Sequence, residues 1–315
     1  MGMKGKDFDT VGAERMTDAE LSKKLGHYQK MSAALLLVGV VGAVSGTISY
    51  FAVQDMALKV ILVTALFFGG VCCAFFFGGG AQKKLEALMQ ERLGDFFRTE
   101  WEKAFGPDIH TPEMRIDEPF MQALHLLDGE WEECRVERFH EGDHGGVHFS
   151  AANVRLDHVY QRGTPHEGFE TCTNMVFKGI VLRCRTCVPV PSPILANVRT
   201  EDSPRGVLTG NETFNRSFCV TADSEQDAAH LLTPQFINFL TEFDRDVEGQ
   251  IMSFCWEGKI FSLALETDFG IAAVASSVDL RDLGAVRRSY IRSLEELGSV
   301  LDRLIAGPTL TGAAE

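Results

Sequence analysis

The stretch from 31 to 54, MSAALLLVGVVGAVSGTISYFAVQ, contains no charged residue. It is long enough to cross a bilayer, which takes about 20 apolar residues. A second stretch from 56 to 80, MALKVILVTALFFGGVCCAFFFGGG, carries Lys59 as its only charge. Lys59 stands near the start, where a lysine can reach back to the interface. The pattern predicts a two-helix transmembrane hairpin over 31–80, with spans at about 31–53 and 57–79 and a tight turn between them. The competing reading is a helical hairpin buried in a soluble core. A charge-free run of this length favours the bilayer.

Orientation follows from the placement of Lys and Arg beside the spans. Lys23, Lys24 and Lys30 precede the first, Lys83, Lys84 and Arg92 follow the second, and the turn has none. Both termini are therefore expected in the cytoplasm. The polar leader of about thirty residues and the following span argue against a cleavable signal peptide. Six of the eight cysteines then fall in a reducing compartment, where structural disulfides are rare. The sequons at Asn211 and Asn215 would go unused there. A net charge of −14 speaks against a nucleic-acid partner, and no dense basic run follows Lys84.

The predicted organisation is a cytoplasmic segment at 1–30, the hairpin at 31–80, a helical stalk at 81–105, one cytoplasmic α+β domain at 106–306, and a tail at 307–315. Leu85, Leu88, Met89, Leu93 and Phe96 recur at helical spacing in the stalk. Period-two patterns predict strands around 133–139, 146–159, 174–187, 212–221 and 250–266. Within the last, Glu257-Gly258 reads as a hairpin tip. The segment 188–206, rich in Pro and Ser, reads as an exposed loop. Ser224 and Thr233-Pro234 are helix starts, and Val286 to Leu304 give a closing helix its apolar face. The expected fold class is α+β, a mostly antiparallel sheet with helices on one face. A pleckstrin-homology-like barrel is the alternative.

Two groups of residues invite a chemical reading. Cys184 and Cys187 form a CxxC, a spacing used by zinc sites and thiol oxidoreductases. On a strand, residues three apart face opposite ways, so the pair cannot chelate one ion without a bulge. No second CxxC or CxxH supplies further ligands. His140, His144 and His148 recur every fourth residue, with Glu141 and Asp143 between them. On a helix that spacing would align three imidazoles for a metal-assisted hydrolase. Gly142, Gly145 and Gly146 instead predict a hairpin tip with solvated histidines. No phosphate loop, dinucleotide fingerprint, nucleophile elbow or zinc-protease motif occurs. No residue is thus assigned as catalytic, cofactor-binding or metal-binding, and no cofactor is expected.

The paired spans, the strand motif Val176-Phe177-Lys178-Gly179, the spacing Phe214, Phe218, Val220 and the run Leu231-Leu232-Thr233-Pro234 together resemble the bacterial DUF3137 family of membrane proteins, over about 21–304. The resemblance implies a multi-pass protein of the bacterial inner membrane. It implies no activity and no catalytic residues. Family genes often neighbour those of LemA-like membrane proteins, which implies such a protein as a partner. The expected function is a membrane-anchored scaffold or adaptor with a cytoplasmic protein-binding domain. The rivals are the His140/His144/His148 hydrolase and a lipid- or small-ligand-binding module.

Overall fold

A computed structural model describes residues 18–52, 55–68, 79–124, 127, 130–164, 168–201, 203–204 and 206–307. The chain divides into two units, Met1–Gly94 with Ser277–Arg287, and Asp95–Ser276 with Arg288–Glu315.

In the first unit, helix α1 (Asp18–Ala52) is a single uninterrupted helix. At 1.5 Å per residue it is about 50 Å long, more than a bilayer core requires. Its middle and C-terminal part leave Leu37, Val40, Val41, Val44, Ile48 and Phe51 exposed. Among the described residues one helix, covering Ala19–Phe51, is long and apolar enough to cross a membrane. Helix α2 (Met56–Val63) follows and continues as a π-turn at Thr64–Phe68; both pack against α1. Asp55 starts α2 by accepting a hydrogen bond from the Leu58 N–H at 2.9 Å. The rest of the expected second span, 69–78, lies outside the described residues, as do 1–17 and the tail from 308. The polar start of α1 is tied to the 277–287 segment. Gln29 donates to the Val278 carbonyl at 3.0 Å and accepts from the Leu280 N–H at 3.1 Å. Ser22 donates to the Arg281 carbonyl at 2.5 Å.

Helix α3 (Gly79–Phe105) ends in the second unit, where the short helix α4 (Glu118–Leu124) precedes an antiparallel sheet. Its strands are β1 (Glu133–His144), β2 (Val147–Thr164), β3 (Gly168–Val198), β4 (Phe218–Ala222) and β5 (Gln250–Glu266). Helices α5 (Glu212–Ser217), α6 (Glu225–Leu231) and α7 (Pro234–Asp246) belong to this unit, as does α8 (Leu283–Ile305) from Arg288 onward. The path is β1-β2-β3-β4, with β5 also on β3. Among the described residues the sheet is open, so the barrel alternative fails. Ser224 and Thr233 cap α6 and α7 as their sequences predict.

Several expectations need correction. Gly258 makes no hairpin: β5 is one strand that follows β3 from Gly179 to Asn197. Gly258 sits at φ 57, a left-handed kink. Phe254 and Trp256 face the main core before it, and Phe261, Leu263 and Leu265 after it, so the kink switches the buried parity from even to odd. The Pro/Ser segment is not a loop up to 198. It belongs to β3, and the register with β5 slips between Arg185 and Ile194, where the prolines are absorbed as a bulge. The stretch 212–221 is helix before it is strand, because Asn211 caps α5. Phe214 and Phe218 then lie one turn apart and stack at 5.2 Å.

Both sheet faces are covered, not one. The larger core joins Trp101 and Phe105 of α3, Phe236, Ile237, Leu240 and Phe243 of α7, and Tyr290, Leu294 and Leu301 of α8 to Phe149, Ile180, Leu182 and Phe254. Tyr290 stacks on Phe97 at 4.3 Å and donates to the Phe97 carbonyl at 3.1 Å. On the other face Ile116, Met121 and Leu127 cover Ala152, Val154, Phe177, Val181 and Ala264.

Gly179 tests the closeness of β3 and β5. A Cβ there would stand 2.0 Å from the Leu265 carbonyl oxygen, which is backbone and cannot swing away. Gly179→Ala is expected to destabilise the domain by about 2–3 kcal/mol in denaturant unfolding.

Candidate functional site

The histidine-rich segment is the tip of the β1–β2 hairpin. Gly145 and Gly146, at φ 55 and 81, make its two-residue turn. Alternation along the strands then divides the histidines. His140 and His144 face α3 and α8: His140 stacks on Trp101 at 4.4 Å, and His144 pairs with Asp302 at 2.7 Å. His148 lies on the opposite face, 3.1 Å from Asp143 and 3.4 Å from Glu141. Three imidazoles split in this way do not converge on one ion. Among the described residues no three His, Cys, Asp or Glu side chains are grouped to hold a metal. The histidines are also less solvated than expected, since each has a carboxylate partner.

What the hairpin anchors is the segment from 108 to 117. Asp108 accepts from the Glu141 N–H at 2.8 Å and pairs with His140 at 2.7 Å and His110 at 3.0 Å. It thereby occupies a backbone donor of β1, an edge strand. Burial pushes the Asp108 carboxyl up, but hydrogen bonds from His140 and the Glu141 N–H, with the charge of both histidines, bring it below its ordinary value. Glu141, fully buried, accepts from the Thr111 N–H at 2.7 Å and the Thr111 hydroxyl at 3.0 Å.

The register extends this anchoring across the sheet. Glu141 pairs with Ser150, Ser150 with Arg183, and Arg183 with Ser262, and all four are buried. Ser150 donates to the Met114 carbonyl at 2.6 Å and Arg183 to the Arg115 carbonyl at 2.7 Å. The Arg183 guanidinium also lies 4.1 Å from the centre of the Phe120 ring. Glu141 of β1, Ser150 of β2 and Arg183 of β3 thus offer polar groups to the irregular segment, which satisfies backbone groups outside the ladder. Desolvation lowers the Arg183 pKa, and Glu257 leads the groups that oppose it. The row is a clamp.

The CxxC is likewise divided. Cys184 is wholly buried in the main core, where desolvation pushes its thiol up to about 12, and Cys187 is exposed at the start of the β3 bulge. Both are free thiols. Cys255 is buried with its thiol also pushed up to about 12 by desolvation, and Cys134 to about 11 for the same first cause. Thiols of this kind are poor nucleophiles at neutral pH. Sequence reading missed Asp108, Thr111 and Arg183, which are distant in the chain from the hairpin. A buried arginine flanked by apolar residues in VLRC was the one available signal.

Residues 175–300 match the family model described as "Protein of unknown function (DUF3137)" and form a domain of that family. The motifs from Val176 to Pro234 lie within it. Among solved structures the chain is similar to the mycobacterial trehalose monomycolate transport factor A, TtfA, at 11% identity and a TM-score of 0.29, over 67% of this chain and 96% of that one. No curated protein matches the chain.

Two outcomes follow from this geometry. Cys184→Ser leaves a hydroxyl among Phe149, Leu182 and Phe261 and is expected to cost about 1–3 kcal/mol in thermal unfolding, with Cys187→Ser within about 0.5 kcal/mol of the parent. Equal loss from both would contradict the division. Asp108→Asn is expected to cost about 1–3 kcal/mol at neutral pH. Because the folded Asp108 pKa lies below the ordinary 3.8, its contribution is complete above that value and is lost as pH falls through the lower one. Acid unfolding curves of parent and variant should therefore converge at low pH.

Proposed function

We propose that this chain, with its DUF3137 domain at 175–300, is a membrane-anchored adaptor whose sheet domain docks a protein partner in the cytoplasm. The observation that carries the reading is the exposed apolar surface of α1 from Leu37 to Phe51. Such a surface is costly in water and costs nothing in a bilayer.

A second span is supported by the capped, apolar helix that packs back on α1 after a three-residue connection. Lys and Arg flank the outer ends of both apolar stretches, which favours both termini in the cytoplasm and a multi-pass protein of the bacterial inner membrane. In this reading 1–30 precedes the hairpin at 31–80, 81–105 is the stalk, 106–306 is the adaptor domain and 307–315 is the tail. The adaptor role, in place of catalysis, is supported by the division of the histidines and cysteines between opposite faces. No observation favours the hydrolase. The family resemblance makes a LemA-like membrane protein the first partner to test.

A reporter active only in the cytoplasm, fused after Glu315, should be active, and the same reporter in a lengthened turn at 54–55 should be silent. The reverse pattern would invert the topology. Cross-linking and capture from detergent-solubilised membranes should recover one reproducible protein partner; recovery of none counts against the adaptor role.

A further inference from the structure

Three neighbouring strands of the sheet place a cation at the same level. Arg135 pairs with Arg155, and Arg155 with Lys178, so three positive charges form one row across β1, β2 and β3. Like charges directly opposed weaken a sheet, and nothing in strand pairing calls for them. Each is partly offset by a carboxylate. Arg155 grips the buried Asp157 through Nε and Nη2 at 2.8–3.0 Å. Arg135 donates to Glu133 at 2.9 Å, and Lys178 lies 3.7 Å from Asp268. The last two pairs are exposed, and exposed pairs exchange readily for a better anion.

The row floors a cavity of about 240 Å³ that Asn153, Thr267 and Phe269 also line. Its surroundings are held in an unusual way. The β1 bulge puts Arg138 at φ 52, and the loop after β5 puts Ala272 at φ 47, both left-handed conformations that disfavour side chains. Arg138 donates to the Ala272 carbonyl at 2.9 Å, joining the two. Asn153 holds both the N–H and the carbonyl of Ile271, at 2.8 and 3.0 Å. Backbone strain that the surroundings maintain is found at ligand sites.

We infer that this cleft binds a phosphate monoester group. Cations on adjacent strands stand about 4.8 Å apart, and two or three of them can share the oxygens of one tetrahedral dianion. Arg155, fixed by Asp157, orients its fork, while Arg135 and Lys178 turn from Glu133 and Asp268 to the ligand. The Phe269 ring offers an apolar contact to whatever carries the phosphate. Glu137 and Asp268 in the lining oppose an extended acidic peptide, which would have to pass both. The site is within the second unit and stands independently of the membrane reading.

The test uses the full chain in phosphatidylcholine nanodiscs, titrated with inorganic phosphate and with glycerol 3-phosphate against chloride at matched ionic strength. A saturable rise in Tm is expected with the phosphates and not with chloride. Arg135→Gln/Lys178→Gln, which spares Arg155 and Asp157, should weaken binding about tenfold through loss of two charge-assisted contacts. Lys178→Gln alone serves if the double variant fails to fold. Stabilisation only by discs containing phosphatidic acid, lost in the variant, assigns the phosphate to a lipid headgroup and supports the site. Absence of any saturable response to every phosphate source overturns it, as does an unchanged response in the variant. So does binding of polyglutamate without binding of phosphate, which would make the cleft a peptide site.

Discussion

The second unit depends on one strand being paired along both edges. β3 takes β2 and β5 on its two sides over Gly179–Cys184, and β4 and β5 over Ile194–Asn197. A strand so placed has no free backbone to offer solvent, and its side chains are buried on both faces. Ile180, Leu182 and Cys184 enter one core, and Phe177 and Val181 the other. The chain changes partners on one edge of β3 by means of the bulge after Arg185, which carries the prolines and the exposed Cys187. The two cysteines of the CxxC thereby differ in exposure, Cys184 buried before the bulge and Cys187 exposed at its start.

Covering the second face sets a further problem. The segment from 108 to 117 has little ladder of its own, yet it lies on a buried surface. Glu141 answers with two side-chain bonds and Ser150 and Arg183 with one each. Removing a single member leaves a buried polar group without its partner, which costs more than the bond contributed. This explains polar residues at positions where strand alternation would place apolar ones. It also accounts for the His and acid content of the hairpin: its carboxylates hold the segment and the imidazoles.

The first unit follows different physics. Among the described residues the apolar side chains of α1 from Leu37 to Phe51 remain exposed, so the helix is sensitive to the medium around it. At its polar end, Gln29 and Ser22 hold the 277–287 segment by backbone contacts, a connection between residues about 250 positions apart. One helix thus carries an exposed apolar stretch and a polar end engaged with protein backbone.

Local sequence determined what depends on near neighbours. The uncharged run yields a long apolar helix because length and composition suffice. Ser224 and Thr233-Pro234 start helices because a cap needs only the next turn. Gly145-Gly146 close a hairpin because both residues must be left-handed. The turn signal at Glu257-Gly258 was legible too, but a left-handed glycine serves a kink as well as a reversal. Only the long neighbouring strand β3 decided which. The same holds for the sites. Alternation already placed Cys184 and Cys187 on opposite faces. By contrast, the row Arg135, Arg155, Lys178 and the row Glu141, Ser150, Arg183, Ser262 exist only through register. Most of their members are separated by tens of residues, and a shift of one position would turn each to the other face. Local propensity set the elements, and long-range pairing decided which charges meet.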